Sequence, residues 1–230
     1  RLRAVAPAIG PVEGGAAALG FHLEGPYINP VRKGAFPPPW LRQPDAGEYR
    51  ELFQAAGGHV RQVTLAPELL GAGALIDAVR ASGAIAAIGH TDATYGEAMH
   101  AIERGCSHVT HTFNAMRPFG HRDPGVIGAV MNSDVTAELI GDGAHVDYAA
   151  ARMLLRAKGA CNVALITDAM PLAGTADGDG TWEGQAIRVE GGKAVRVADG
   201  TIIGGVITLD QTMRNAVEHL GAPLHDAVAM

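Results

Sequence analysis

Apolar and polar positions alternate in two rhythms along this chain. Short apolar or β-branched runs, such as Val60-Arg-Gln-Val-Thr-Leu65 and Ile85-Ala-Ala-Ile88, have the pattern of strands. Between them, apolar residues recur at helical spacing. This rhythm predicts strands at 18–23, 60–65, 85–89, 108–113, 137–140 and 163–167. Helices are expected at 45–56, 69–82, 94–104, 126–131, 147–158 and 209–220. Thr94-Tyr-Gly-Glu97 has the form of a capping box, and Asp147 that of an N-cap. The stretch 30–44, rich in Pro and basic residues, reads as a loop. At about 175–200 the rhythm breaks into Gly- and Asp-rich sequence with short alternating runs such as Ala186-Ile-Arg-Val-Glu190, which predicts a small β excursion.

Strand–helix alternation argues for a parallel sheet with helices outside. Six βα units can be counted in 1–230, where a closed barrel of this kind has eight. The expected fold class is therefore α/β, an incomplete TIM-like (β/α)8 barrel, with the two remaining units expected on the N-terminal side. The chain starts without Met and ends inside a helix-like pattern, so it is expected to be a fragment. Open sheet edges would then make it aggregation-prone or of low stability by itself.

Composition narrows the function classes. Of 230 residues, 47% are hydrophobic and 18% charged, which fits a globular domain with its own core. The net charge of −6, with no basic face, speaks against nucleic acid or an anionic membrane as partner. The two cysteines, Cys106 and Cys161, form no C-x-x-C pattern or disulfide framework, so a reducing, cytoplasmic location is expected. No apolar run reaches the roughly 18 residues of a membrane span.

Four predicted strands end in a side chain capable of chemistry: Glu24, His90, His111 and Asp168. In a parallel α/β barrel the C-terminal strand ends converge on one face, where catalytic residues sit. One carboxylate and two imidazoles suit a catalytic Zn²⁺, with Fe²⁺, Co²⁺ or Mn²⁺ also accepted, and leave a position open for water. A single His at a strand end is more often structural; three such residues together with Asp168 favour a metal site. In His108-Val-Thr-His111, residues three apart on a strand face opposite sides, so His111, in phase with Phe113, is assigned to the interior and His108 to structure. Asp168 could exchange a proton with water activated at the metal, or simply form a turn before Pro171. Backbone amides at Asn114 and Ala115 could cradle a phosphate or form an ordinary turn. Arg122, on a Pro- and Gly-rich loop, could clamp phosphate or be solvated. His145 follows a Gly-rich strand exit and could hold a hydroxyl or carbonyl. The other histidines read as structural.

His22-Leu-Glu-Gly-Pro26, Gly89-His-Thr91, Thr110-His-Thr-Phe-Asn-Ala-Met116, Gly143-Ala-His-Val146 and Thr167-Asp-Ala-Met170 occur in this order. Across almost its whole length the chain resembles the N-acetylglucosamine-6-phosphate deacetylases of the amidohydrolase superfamily. The resemblance implies metal-dependent hydrolysis of N-acetyl-D-glucosamine 6-phosphate to D-glucosamine 6-phosphate and acetate, in amino-sugar catabolism. It implies Glu24, His90 and His111 as ligands of one or two metal ions and Asp168 as general base and then general acid. It gives His145 the substrate carbonyl, and Asn114 and Ala115 the phosphate. Arg122 would reach the phosphate of a neighbouring subunit, implying a homodimer. Ala35, Phe36, Ile202, Ile203 and Gly204 fall in further substrate-contact segments.

Two departures stand out. Phe36 occupies a place where the family usually carries His. The superfamily's first-strand H-x-H pair is not in the chain, nor is the family's small β-sandwich domain. Phe36 motivates an alternative, a deacetylase of N-acetylgalactosamine 6-phosphate or of an unphosphorylated amide. A metal-free, non-catalytic relative is the alternative of another class, and the intact Glu24, His90, His111 and Asp168 oppose it.

Overall fold

A computed structural model describes residues 1–182 and 184–230. Six parallel strands run in sequence order across one sheet: Phe21–Glu24 (β1), Val60–Leu65 (β2), Ile85–Ile88 (β3), His108–Val109 (β4), Thr136–Ile140 (β5) and Val163–Ile166 (β6). Each of the first five is followed by a helix: Ala46–Ala55 (α2), Tyr95–Arg104 (α4) and Tyr148–Lys158 (α6) after β1, β3 and β5, Ala72–Ala81 (α3) and Gly125–Met131 (α5) after β2 and β4. A short helix, Leu2–Val5 (α1), precedes them. The strands form half of a barrel, as the strand–helix alternation predicts.

Local sequence explains the helix starts. Asp45 accepts hydrogen bonds from the amides of Gly47 and Glu48 at the head of α2, and Asp147 accepts one from Ala149 at the head of α6. Thr94 and Glu97 make the complete reciprocal capping box on α4. Apolar helix faces then pack on the sheet. Leu75, Ile76 and Val79 of α3 share one continuous core with Val63, Ala86, Ala98 and Ala101. Each fully buried Leu, Ile or Val contributes about 1.5–3 kcal/mol. β1 and β6 each have a neighbour on one side only, and their side chains are less buried than those of β3 and β5. The interior exposed between them is partly polar: Gln62 Nε2 donates to Glu138 Oε1 at 2.6 Å, and the hydroxyls of Thr64 and Thr110 meet at 2.7 Å.

After β6 the chain builds a separate antiparallel sheet from Gly178–Trp182 (β7), Gln185–Glu190 (β8), Lys193–Arg196 (β9) and Ile202–Gly205 (β10), then returns to helix in Leu209–Glu218 (α7) and Leu224–Ala229 (α8). Ile187, Val189 and Ala194 give this sheet a small core with Met170 and Val206. It joins the barrel where the Gly205 amide donates to Asp168 O and the Met170 amide to Gly205 O. A Cβ at Gly205 would stand 2.0 Å from Thr167 O, so only glycine allows this junction.

The strand expected at 108–113 is cut to two residues. The strand at 108–113 ends at Val109, because His111, Phe113 and Ala115 take φ values of +30°, +80° and +50° and cannot continue a ladder. The phase argument linking His111 to Phe113 therefore does not apply, and His111 enters the interior from a turn. Among the described residues, no helix is long and apolar enough to cross a membrane.

Candidate metal centre and surrounding cavity

Glu24 is the last residue of β1, and His90 lies just beyond β3 and His111 just beyond β4. Parallel register carries these strand ends to one side of the sheet. Glu24 Oε1 lies 2.9 Å from His90 Nε2 and 2.7 Å from His111 Nε2, and the two Nε2 atoms are 3.1 Å apart. Both imidazoles are buried. Without a cation, two N–H groups must crowd onto one carboxylate oxygen. A divalent ion replaces both protons and satisfies all three atoms together. Tetrahedral bonds of about 2.1 Å separate neighbouring ligand atoms by about 3.4 Å, so the side chains need recede only slightly to admit one. The donor set fits a first-row ion.

Electrostatics binds the cluster together. Burial opposes ionisation of Glu24, but the hydrogen bonds and charges of His111 and His90 outweigh it and hold its carboxyl far below the usual range. Burial likewise works against a charged His111, and the Glu24 hydrogen bond and charge prevail, raising it to about 9. The imidazoles differ in support. His90 Nδ1 donates to Arg32 O at 2.8 Å, which leaves Nε2 for the cluster. His111 Nδ1 is buried without a hydrogen-bond partner, so that ring is held by Glu24 on its Nε2 side and by packing on the other. Arg32 is itself pinned: its Nε donates to Asp92 at 2.8 Å, and Arg117 holds the other Asp92 oxygen at 3.0 Å.

Asp168 follows β6 into the same cavity of about 670 Å³. Its carboxyl is raised above the ordinary range, first by burial and then by the charge of Glu24, against the pull of His111, His145 and His90. His145 lines the cavity too, as do Asn114 and Ala115. Ala35 and Phe36 line it from the 30–40 loop, and Ile202, Ile203 and Gly204 line it from β10. The Phe36 ring meets His90 edge-on, centroids 5.2 Å apart. Arg122 is exposed and stands outside this cavity.

The non-glycine residues with positive φ, among the described ones, are His90, His111, Phe113, Ala115 and Asp168. Four of these line the cavity. Strained backbone concentrated at one site is a mark of function, because packing elsewhere must hold it in place. Sequence reasoning missed Asp142, Arg32 and Asp92 as supports and Arg196, whose guanidinium donates to Ala35 O at 3.1 Å across 161 positions. Only Asp142 left a local signal, three residues before His145.

No family model matches the chain. Among curated relatives, it is 42% identical over 205 residues to the N-acetylglucosamine-6-phosphate deacetylase of Bacillus subtilis (strain 168), covering 89% of this chain and 52% of that protein. It is 36% identical over 217 residues to the N-acetylgalactosamine-6-phosphate deacetylase of Escherichia coli O157:H7, covering 94% of this chain and 57% of that one. In structure it superimposes with a TM-score of 0.90 and 40% identity on a mutant N-acetyl-D-glucosamine-6-phosphate deacetylase of Mycobacterium smegmatis in complex with N-acetyl-D-glucosamine-6-phosphate, covering 99% of this chain and 59% of that one. The chain thus spans about half the length of the curated relatives it matches.

Proposed function

From a chain that is a homologue of the N-acetylglucosamine-6-phosphate deacetylases over about half their length, we propose the metal- and substrate-binding half of an enzyme that hydrolyses N-acetyl-D-glucosamine 6-phosphate to D-glucosamine 6-phosphate and acetate. The observation that carries this reading is the convergence of Glu24, His90 and His111 in the cavity that Asp168 also lines.

An acetamide is a poor electrophile, so its hydrolysis needs a polarised carbonyl, a nucleophile available at neutral pH and a protonated leaving amine. A divalent ion held by Glu24, His90 and His111, Zn²⁺ being the first choice, supplies Lewis acidity and lowers the pKa of water. Asp168 takes the proton of the attacking water and delivers it to the departing nitrogen. Its place at the end of β6, in the cavity that Glu24, His90 and His111 also line, suits both tasks. His145 faces the carbonyl. Asn114 and Ala115 line the phosphate end, Ala115 through its backbone amide while the Asn114 amide is held by His111 O, and Ala35, Phe36, Ile202, Ile203 and Gly204 enclose the sugar. Arg122, exposed outside its own cavity, is read as reaching the phosphate bound by a second subunit of a homodimer. The β excursion at about 175–200 is read as the outer wall of the substrate site, and the enzyme as cytoplasmic.

A second reading, deacetylation of N-acetylgalactosamine 6-phosphate, is favoured by Phe36 and by the Escherichia coli relative. The test is acetate release from N-acetylglucosamine 6-phosphate, its galactosamine epimer and unphosphorylated N-acetylglucosamine. The reading expects the first to be turned over fastest. A faster epimer would move the substrate, and release from the unphosphorylated sugar alone would remove the phosphate site. No release from any of them with added Zn²⁺ would refute the activity for this chain.

A further inference from the structure

Three residues before His145 stands a carboxylate to which the reaction outlined above gives no task. Asp142 leaves β5 just after Ile140 and turns inward, its side chain 1% exposed and that of His145 5% exposed. Its Oδ1 accepts the backbone N–H groups of Ala144 at 2.9 Å and of His145 at 2.8 Å. Its Oδ2 lies 2.6 Å from His145 Nδ1. Gly143, between them, has φ +74°, and a Cβ there would come within 2.6 Å of the Tyr148 ring, so the turn admits no bulkier residue.

Burial works against the charge on Asp142, but the hydrogen bonds from His145 and the two amides prevail and hold its carboxyl below the usual range. An ionised carboxylate only accepts hydrogen bonds, so the proton between the two side chains belongs to His145 Nδ1. The other ring nitrogen, Nε2, is then the polar atom this side chain offers to the cavity that it shares with Glu24, His90, His111 and Asp168.

We propose that Asp142 is a positioning residue, one that locks the ring and the Nδ1–H form of His145 so that Nε2 is presented to the substrate. That the substrate group is an acetamide carbonyl rests on the function proposed above; the lock itself rests on the Asp142–His145 geometry alone. The same geometry dictates what Asp142→Asn must do. The two backbone N–H groups need an acceptor, so the amide oxygen of the new side chain takes the Oδ1 place. Its NH₂ then faces His145 Nδ1, which must become an acceptor. The substitution, nearly equal in shape, therefore moves the proton of the neutral ring from Nδ1 to Nε2.

Nitrogen-15 NMR of the metal-free chain reads this directly, with the His145 signals identified by their loss in His145→Gln. The parent is expected to show Nδ1 protonated, and Asp142→Asn to show the proton on Nε2. A parent ring bearing its proton on Nε2 alone would overturn the proposal without any variant having to fold. An unchanged tautomer in a folded Asp142→Asn would overturn it as well. With N-acetylglucosamine 6-phosphate as substrate, kcat of the variant is expected to fall at least about tenfold with KM changed less than about threefold. If the tautomer switches while the parent releases no acetate, the Asp142 assignment stands and the proposed function falls.

Discussion

His90 and His111 point their Nε2 atoms at each other across 3.1 Å, and both at the same oxygen of Glu24. This arrangement ties the metal-free chain to pH in two opposite senses. Glu24 is depressed on folding, so its contribution to stability is present above its ordinary value of 4.5 and is lost as pH falls. His111 is raised to about 9, so its contribution is full below 6.5 and is lost as pH rises through 9. The metal-free chain should be most stable between these ordinary values and weaken towards pH 9. Metal affinity should move the other way over that range, since binding must expel the His111 proton. Calorimetric titration of Zn²⁺ near pH 7.5, in buffers of different ionisation enthalpy, should show proton release. Buffer-independent heats would mean that His111 is already neutral.

Asp168→Asn should keep the ligand set and lose the proton carrier. Metal content and substrate affinity are expected to change little while kcat falls by about 10²–10⁴. Unchanged turnover would remove Asp168 from the reaction.

Asp92 does not line the cavity, yet it pins Arg32, whose carbonyl accepts from His90 Nδ1. Asp92→Ala should lower Zn²⁺ affinity by about tenfold, the usual order for lost support behind a ligand. A competition assay with a chromophoric chelator measures it, and an unchanged affinity would show that the loop holds His90 without the ion pair.

Gly205→Ala would drive a methyl group into Thr167 O at the junction of the two sheets. A loss of about 1–3 kcal/mol is expected, seen as a fall in the thermal midpoint. Because the junction adjoins Asp168, KM for the substrate should rise as well. A variant as stable as the parent would show that the junction yields easily.

Phe36 packs its ring edge-on against His90. Phe36→His would place a hydrogen-bonding ring on the cavity wall beside His90. Relative kcat/KM for phosphorylated over unphosphorylated N-acetylglucosamine should rise about threefold or more, in proportion to one added polar contact. A ratio that stays put would mean that this wall does not read the phosphate end.

Much of this architecture is legible from local pattern. Helix periodicity with Asp45, Thr94 and Asp147 as caps, and apolar runs such as 85–88, mark out the βα units, because these signals act within a few residues. The chemical residues at the strand ends are visible for the same reason, since a polar group that follows an apolar run stands out. The strand at 108–113 misled because its apolar alternation outlasts its ladder: the turn at His111 is held by a hydrogen bond from Thr112 N to Glu138 O on the next strand. Which side chains meet is a different matter. Glu24 and His111 are 87 positions apart, and Arg196 and Ala35 are 161. Parallel register and the folding of β7–β10 back over the cavity decide those contacts, so the ligand triad as a cluster, the tautomer-fixing carbonyl of Arg32 and the strained backbone at His90, His111 and Asp168 belong to the tertiary structure. A sequence carries the propensities of neighbours; only packing brings distant groups within hydrogen-bonding distance and holds them there against strain.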